Sequence, residues 1–153
     1  MSLKVGDRAP DFTLPSTTGS DFSLRTQAAG KPLILYFYPR DFTPGCTKEA
    51  CGFRDAFSLL RELDVEIIGI SPDDVETHRR FKMAHNLPFE LLADEQGKVT
   101  KLYKASLPLI RFTRRVTYLL DQSHVIVAVY DNLFAAENHI RAMVDKVKAG
   151  ALR

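Results

Sequence analysis

Two stretches of strand length, residues 32–38 and 65–71, are dominantly apolar without alternation. Runs of that kind form central strands covered on both faces. Between them, residues 46–63 carry a helical pattern, and Pro39, Pro44 and Gly45 mark the turn that separates it from the first strand. Ser71, Pro72, Asp73 and Asp74 read as a helix start, with a capping residue and a proline in the first turn, for a helix running to about Asn86. Residues 89–93 predict a shorter strand and residues 99–103 a short helix. Residues 115–121 and 125–130 flank Gln122, Ser123 and His124 and read as a β-hairpin. Near the start, residues 12–24 read as two short strands around a turn rich in Gly, Ser and Thr. Residues 135–148 close the pattern as an amphipathic helix with Ile140, Met143, Val144 and Val147 on one face.

The order strand–helix–strand–helix–strand, then a hairpin and a last helix, predicts an α/β class. Its central sheet should be mixed, parallel at first and antiparallel at the end, and flanked by helices. No linker or repeat interrupts residues 1–153, so one domain is expected, large enough to bury a continuous core.

Composition narrows the function. A formal net charge of +2 is too small to argue for nucleic acid, and the one basic cluster, Arg111, Arg114 and Arg115, reads as a solvated strand end. The first residues hold no apolar signal core, and no apolar run approaches the roughly 18 residues a membrane span needs. A cytoplasmic protein with no membrane partner is therefore expected. Two cysteines in a reducing compartment are packing, metal ligands or redox groups rather than a disulfide scaffold. A structural zinc needs four ligands, and histidines 78, 85, 124 and 139 have no paired spacing with the cysteines, so neither a metal nor another cofactor is expected. His78 and His85 fall on a helix that reads as surface, where solvated side chains are the default.

Chemistry concentrates in residues 36–51. Cys46 falls where a loop turns into a helix directly after a buried strand. A helix start presents unpaired N–H groups and partial positive charge, which favours an anion, and the thiolate is the reactive form of cysteine. Gly45 and Pro44 allow close backbone approach and remove a donor, and the Thr43 hydroxyl can both donate and accept. Cys51 is a different case. Five residues along a regular helix separate two α-carbons by roughly 8–9 Å, whereas a disulfide wants under about 7 Å. The two sulfurs can bond only if about residues 46–52 unwind, which terminal helix turns do at low cost. Taken alone, Cys51 reads as inert packing.

Pro39, Thr43 and Cys46, in the spacing Pro-x3-Thr-x2-Cys, resemble the active-site signature of the peroxiredoxins. The continuation through Lys48, Glu49 and Ala50 to Cys51 resembles the peroxiredoxin Q, or bacterioferritin comigratory protein, subfamily. Likeness extends through Gly69–Ser71, Leu87–Phe89, Leu92–Asp94 and residues 115–121, nearly the whole chain. The resemblance implies a thioredoxin-like fold, peroxide reduction, and recycling by thioredoxin or a similar dithiol donor. It makes Cys46 the peroxidatic cysteine and Cys51 the resolving one, with Thr43 bonding the peroxide and Pro39 shielding the thiolate. Arg115 matches the active-site arginine. Glu49, about one turn beyond Cys46, would hold that arginine's plane, although a solvated helix acid is the plainer reading. The adjacent Arg114 competes for the assignment, because strand neighbours face opposite ways.

Two segments depart from the subfamily pattern. Phe42 stands where smaller or more polar residues are usual, and residues 104–114 lack an expected glycine-containing pattern. Both lie where access is set and suggest tolerance of bulkier organic hydroperoxides. Two other functions stay open: a thiol–disulfide oxidoreductase, which ordinarily carries C-x-x-C, and a redox sensor that shares the first oxidation step. An internal resolving cysteine removes the need for a dimer, so a monomer is expected.

Overall fold

The computed structural model describes residues 2–107, 109, 112–131 and 136–150. Five strands form one sheet in the order β5-β4-β3-β6-β7: β3 (Leu33–Phe37), β4 (Glu66–Ser71), β5 (Glu90–Ala93), β6 (Val116–Leu120) and β7 (Ile126–Asp131). β3 pairs in parallel with β4 and β4 with β5, while β6 runs antiparallel to both β3 and β7. This is the expected mixed sheet. Two further strands, β1 (Thr13–Pro15) and β2 (Asp21–Ser23), form a separate antiparallel pair.

β3 shows why the apolar run lacks alternation. Leu33, Leu35 and Phe37 belong to one core cluster with Phe12, Leu24, Tyr103 and Tyr118. Ile34, Tyr36 and Tyr38 belong to a second, with Phe53, Phe81, Leu91 and Met143. Successive side chains enter opposite faces, and both faces are covered. Helices α2 (Pro44–Glu62), α3 (Val75–Ala84) and α5 (Ala136–Lys148) contribute to the second face, and α4 (Lys98–Leu102) to the first. Ile140, Met143, Val144 and Val147 of α5 are all buried, as their spacing predicts. An added Cβ at Gly52 would lie 2.7 Å from Ile140 Cδ1, so glycine is what lets α5 come this close to α2. No described helix is long and apolar enough to cross a membrane.

Several expectations shift. α2 starts at Pro44 rather than Cys46, because proline is tolerated in a helix's first position and Thr43 supplies the extended cap residue. α3 is capped by Asp74, whose side chain accepts from the Thr77 N–H at 2.7 Å, rather than by Ser71. Ser71 is taken by β4, where it pairs with Ala93, and its hydroxyl donates to Asp73 Oδ2 at 2.5 Å. A four-residue helix, α1 (Leu24–Gln27), follows β2 unannounced. The Arg-rich strand end is not simply solvated: Arg114 pairs with Asp131 at 2.6 Å and Arg115 is 7% exposed, while Arg111 lies outside the described residues. Pro108, Ile110 and Ala135 lie outside them as well.

Candidate active site

The C-terminal end of β3, the first turn of α2 and the start of β6 meet at one point. The register makes this unavoidable: Phe37, the last residue of β3, pairs with Val116, the first of β6, so Arg115 sits level with the chain leaving β3. The loop from that strand then turns straight into α2.

On α2 the buried positions Cys46, Glu49, Ala50, Phe53 and Leu60 recur at three- and four-residue intervals. They form the stripe that packs on the sheet. Cys46 and Glu49 therefore point inward one turn apart, both at 1% exposure. Arg115 bridges them. Its Nη1 donates to Glu49 Oε1 at 2.5 Å and its Nη2 to Cys46 Sγ at 3.3 Å. A Cβ on Gly45 would come within 3.1 Å of that Nη2, so glycine leaves the guanidinium room over the helix start. The sulfur thus faces a fixed cation as well as the positive end of α2. Arg114, one residue earlier, faces Asp131 instead.

Burial raises Glu49 from its ordinary value near 4.5 to about 7, with Arg115 pulling it back only in part. For Arg115 itself, burial acts to lower the value, but Glu49 and then Cys46 outweigh it and the net shift is upward. The sign of the stability effect follows. Between pH about 4.5 and about 7, folded Glu49 keeps a proton that the unfolded chain has lost, so stability falls as pH rises through that window. A shift of that size corresponds to at most on the order of 3 kcal/mol. Glu49→Gln is expected to remove this slope. Urea midpoints of parent and variant at pH 5 and pH 7.5 check it: the difference between the two proteins should move toward the variant as pH rises.

Thr43 is the N-cap of α2 and is half-buried. Its hydroxyl donates to the Arg40 carbonyl at 2.8 Å, which leaves the oxygen as an acceptor. Pro39 directly follows Tyr38 at the end of the sheet and is also half-buried. Phe42 holds a positive φ of 65°, and its 51% exposed ring stands edge-on to buried Phe81 at 5.1 Å. The rim of the site on this side is aromatic. Cys51 lies off the buried stripe of α2, half-buried, and both thiols are free. Its Sγ lies 3.8 Å from His85 Nδ1.

His78 is not a solvated surface residue. It is 0% exposed, and its Nδ1 meets Asp41 Oδ2 at 2.6 Å while its Nε2 donates to the Leu92 carbonyl at 2.9 Å. Tyr38 donates to the other Asp41 oxygen at 2.6 Å, and the Asp41 N–H donates to Asp73 Oδ2 at 2.8 Å. This network ties the loop carrying Pro39 and Thr43 to β4, β5 and α3. The ligand-type atoms of Asp41, Asp73 and His78 gather within 4.8 Å, but hydrogen bonds within the network already engage them. Sequence reasoning missed this anchor, although His78 lies three residues before buried Phe81 and so shares its face of α3.

The sequence model of the AhpC/TSA family matches residues 5–129. The chain belongs to the AhpC/TSA family. A protein named peroxiredoxin bcp in Coxiella burnetii is 44% identical, over 96% of this chain and the whole of that one. Among solved structures, peroxidoxin BcpB from Mycobacterium tuberculosis superposes with a TM-score of 0.90 at 32% identity, covering 97% of this chain and 98% of that one. The Xanthomonas campestris bacterioferritin comigratory protein, in a structure concerned with alkyl peroxide reduction, gives 0.82 at 26% identity and 92% coverage of each. The fold is the thioredoxin-like fold of the peroxiredoxins. This peroxiredoxin is accordingly an oxidoreductase, a peroxidase that works with a thiol reductant.

Proposed function

We propose that Cys46 is the peroxidatic cysteine and Cys51 the resolving one in a cycle confined to a single chain. The Cys46 thiolate attacks the distal oxygen of the peroxide and the O–O bond breaks. The other oxygen leaves as water or an alcohol, taking up a proton, and Cys46 becomes a sulfenic acid. Cys51 displaces hydroxide from that sulfur, forming a disulfide and water. Thioredoxin or a similar dithiol then reduces the disulfide by exchange. The observation that carries this reading is the guanidinium of Arg115, 3.3 Å from Cys46 Sγ and held by Glu49. In that place it stabilises the thiolate and then the charge that builds on the departing oxygen. Thr43 accepts a hydrogen bond from the bound peroxide, Pro39 keeps water from the sulfur, and the Phe42 ring offers an apolar surface to an organic hydroperoxide.

A free redox thiol in a protein-disulfide reductase needs no such cation beside it, which favours the peroxidase over the oxidoreductase with C-x-x-C chemistry. In this reading residues 1–153 act as one domain, as a cytoplasmic monomer with neither metal nor other cofactor. The test mixes reduced protein with one equivalent of hydrogen peroxide, or of cumene hydroperoxide, and reads intact mass. The parent should lose two hydrogens without dimerising, Cys51→Ser should gain an oxygen or cross-link, and Cys46→Ser should stay inert. Because α2 is continuous from Pro44 to Glu62 with both thiols free, oxidation should also strip hydrogen-exchange protection from about residues 46–52. If Cys46→Ser reacts as readily as the parent, Cys46 is not the nucleophile.

A further inference from the structure

Attack by Cys51 on a sulfenic acid needs its thiolate, and Arg115 and the start of α2 serve only Cys46. Cys51 Sγ has its own neighbour, His85 Nδ1, at 3.8 Å. We propose that His85 is the base that activates Cys51 for disulfide closure, an inference that rests on the resolving role assigned to Cys51 above.

His85 is placed by contacts that have no need of its ring chemistry. As the cap residue of α3, its N–H donates to the Phe81 carbonyl at 3.2 Å. Arg54 Nη1, on α2 one turn beyond Cys51, donates to the His85 carbonyl at 2.9 Å. The imidazole then rests edge-on against Phe81 at 5.1 Å, with the Phe42 ring 6.5 Å away on the site side. One ring nitrogen is thereby aimed at the thiol. Around the ring, Cys51 approaches from α2 and uncharged rings pack from α3 and the active-site loop, while Arg54, also bonded to Asp55 at 3.1 Å, holds the backbone carbonyl. With its hydrogen on Nε2, the neutral imidazole offers the Nδ1 lone pair to the thiol.

The contacts also say which sulfur travels. The Arg54 bond and the close packing of Gly52 on Ile140 hold α2 from about Gly52 onward. Unwinding of the first turns then brings Cys46 to Cys51, and Cys51 stays beside His85. The step balances: Nδ1 takes the Cys51 proton, and the thiolate attacks the Cys46 sulfur. The S–O bond breaks, and the leaving hydroxide recovers a proton from the imidazolium to give water. No further oxidant or reductant enters.

The experiment is quenched-flow mass analysis, which follows the sulfenic acid and the disulfide separately. His85→Asn keeps a polar group at the position but cannot take a proton near neutrality. It should leave Cys46 oxidation by hydrogen peroxide unchanged and slow disulfide closure about a hundredfold, the lower end of the usual range for a general base. The deficit should shrink as pH rises, since hydroxide then does the work of the lost base. In His85→Ala, added imidazole should restore closure. Equal closure rates in parent and His85→Asn at every pH overturn the inference and leave the Cys51 assignment standing. So does an equal slowing of both steps, or a His85→Ala variant that imidazole does not rescue. A parent that never forms the Cys46–Cys51 disulfide overturns the assignment and the inference together.

Discussion

Arg115→Met is expected to slow the oxidation of Cys46 by about 10²–10³, the range seen when one preorganised donor to a developing anion is removed. Methionine keeps much of the stem's volume, so the loss is of charge and of two donors rather than of packing. Both donors have identified targets, Cys46 Sγ at 3.3 Å and Glu49 Oε1 at 2.5 Å. Without the first, the thiolate loses its nearest cation, and the peroxide loses the group that draws charge onto the departing oxygen. Without the second, Glu49 is a buried carboxyl with no counter-charge, and it holds its proton to still higher pH. Arg115→Lys should recover only part of the rate, because an ammonium cannot reach sulfur and carboxylate in one plane. Rates of hydrogen peroxide consumption measured at several pH values decide it. A methionine variant within threefold of the parent at every pH would remove Arg115 from the reaction.

The same residues show what local sequence can and cannot reveal. The sheet was legible because β3 is apolar at every position, which only a strand covered on both faces tolerates. Spacing places Glu49 one turn beyond Cys46, but its pairing with Arg115 was readable only through the family resemblance, since a solvated helix acid was the plainer reading. Glu49 moreover breaks an apolar stripe that continues through Ala50 and Phe53. His78 was not legible. Thr77, Arg79 and Arg80 around it are polar, and what buries it is Asp41, 37 residues earlier on a loop. No period along α3 encodes a partner supplied by another element. The start of α3 was misplaced for a related reason: Ser71 has the chemistry of a cap, but β-sheet pairing with Ala93 claims it first. His85 and Cys51 were each visible, yet their meeting depends on how α2 and α3 pack.

His78→Leu is expected to cost about 3–5 kcal/mol, because it leaves two buried acceptors without a donor at roughly 1–3 kcal/mol each. For a chain of this size that lowers the melting temperature by about 10 °C. The hydrogen-bond inventory explains the size. The Leu92 carbonyl can only accept, so Nε2 carries a hydrogen. Nδ1 then faces Asp41 Oδ2 at 2.6 Å, a distance that requires a proton between them. Leucine leaves that carboxylate oxygen and the Leu92 carbonyl buried without donors, while the Tyr38 hydroxyl still holds the other carboxylate oxygen. Asp41→Asn has a different fate. Its amide can donate to Nδ1 of a neutral His78 while its oxygen accepts from Tyr38, so every group is satisfied and the cost should stay near 1 kcal/mol, that of an ordinary hydrogen bond. Thermal melts followed by far-ultraviolet circular dichroism measure both variants. Equal losses would mean that the shared proton itself, and not the set of satisfied hydrogen bonds, holds the network. The expected inequality makes the loop that carries Pro39 and Thr43 depend on the hydrogen bonds that His78 makes beneath it. Cys46 is then positioned from two sides, by Arg115 across the helix start and by His78 beneath the loop that leads into it.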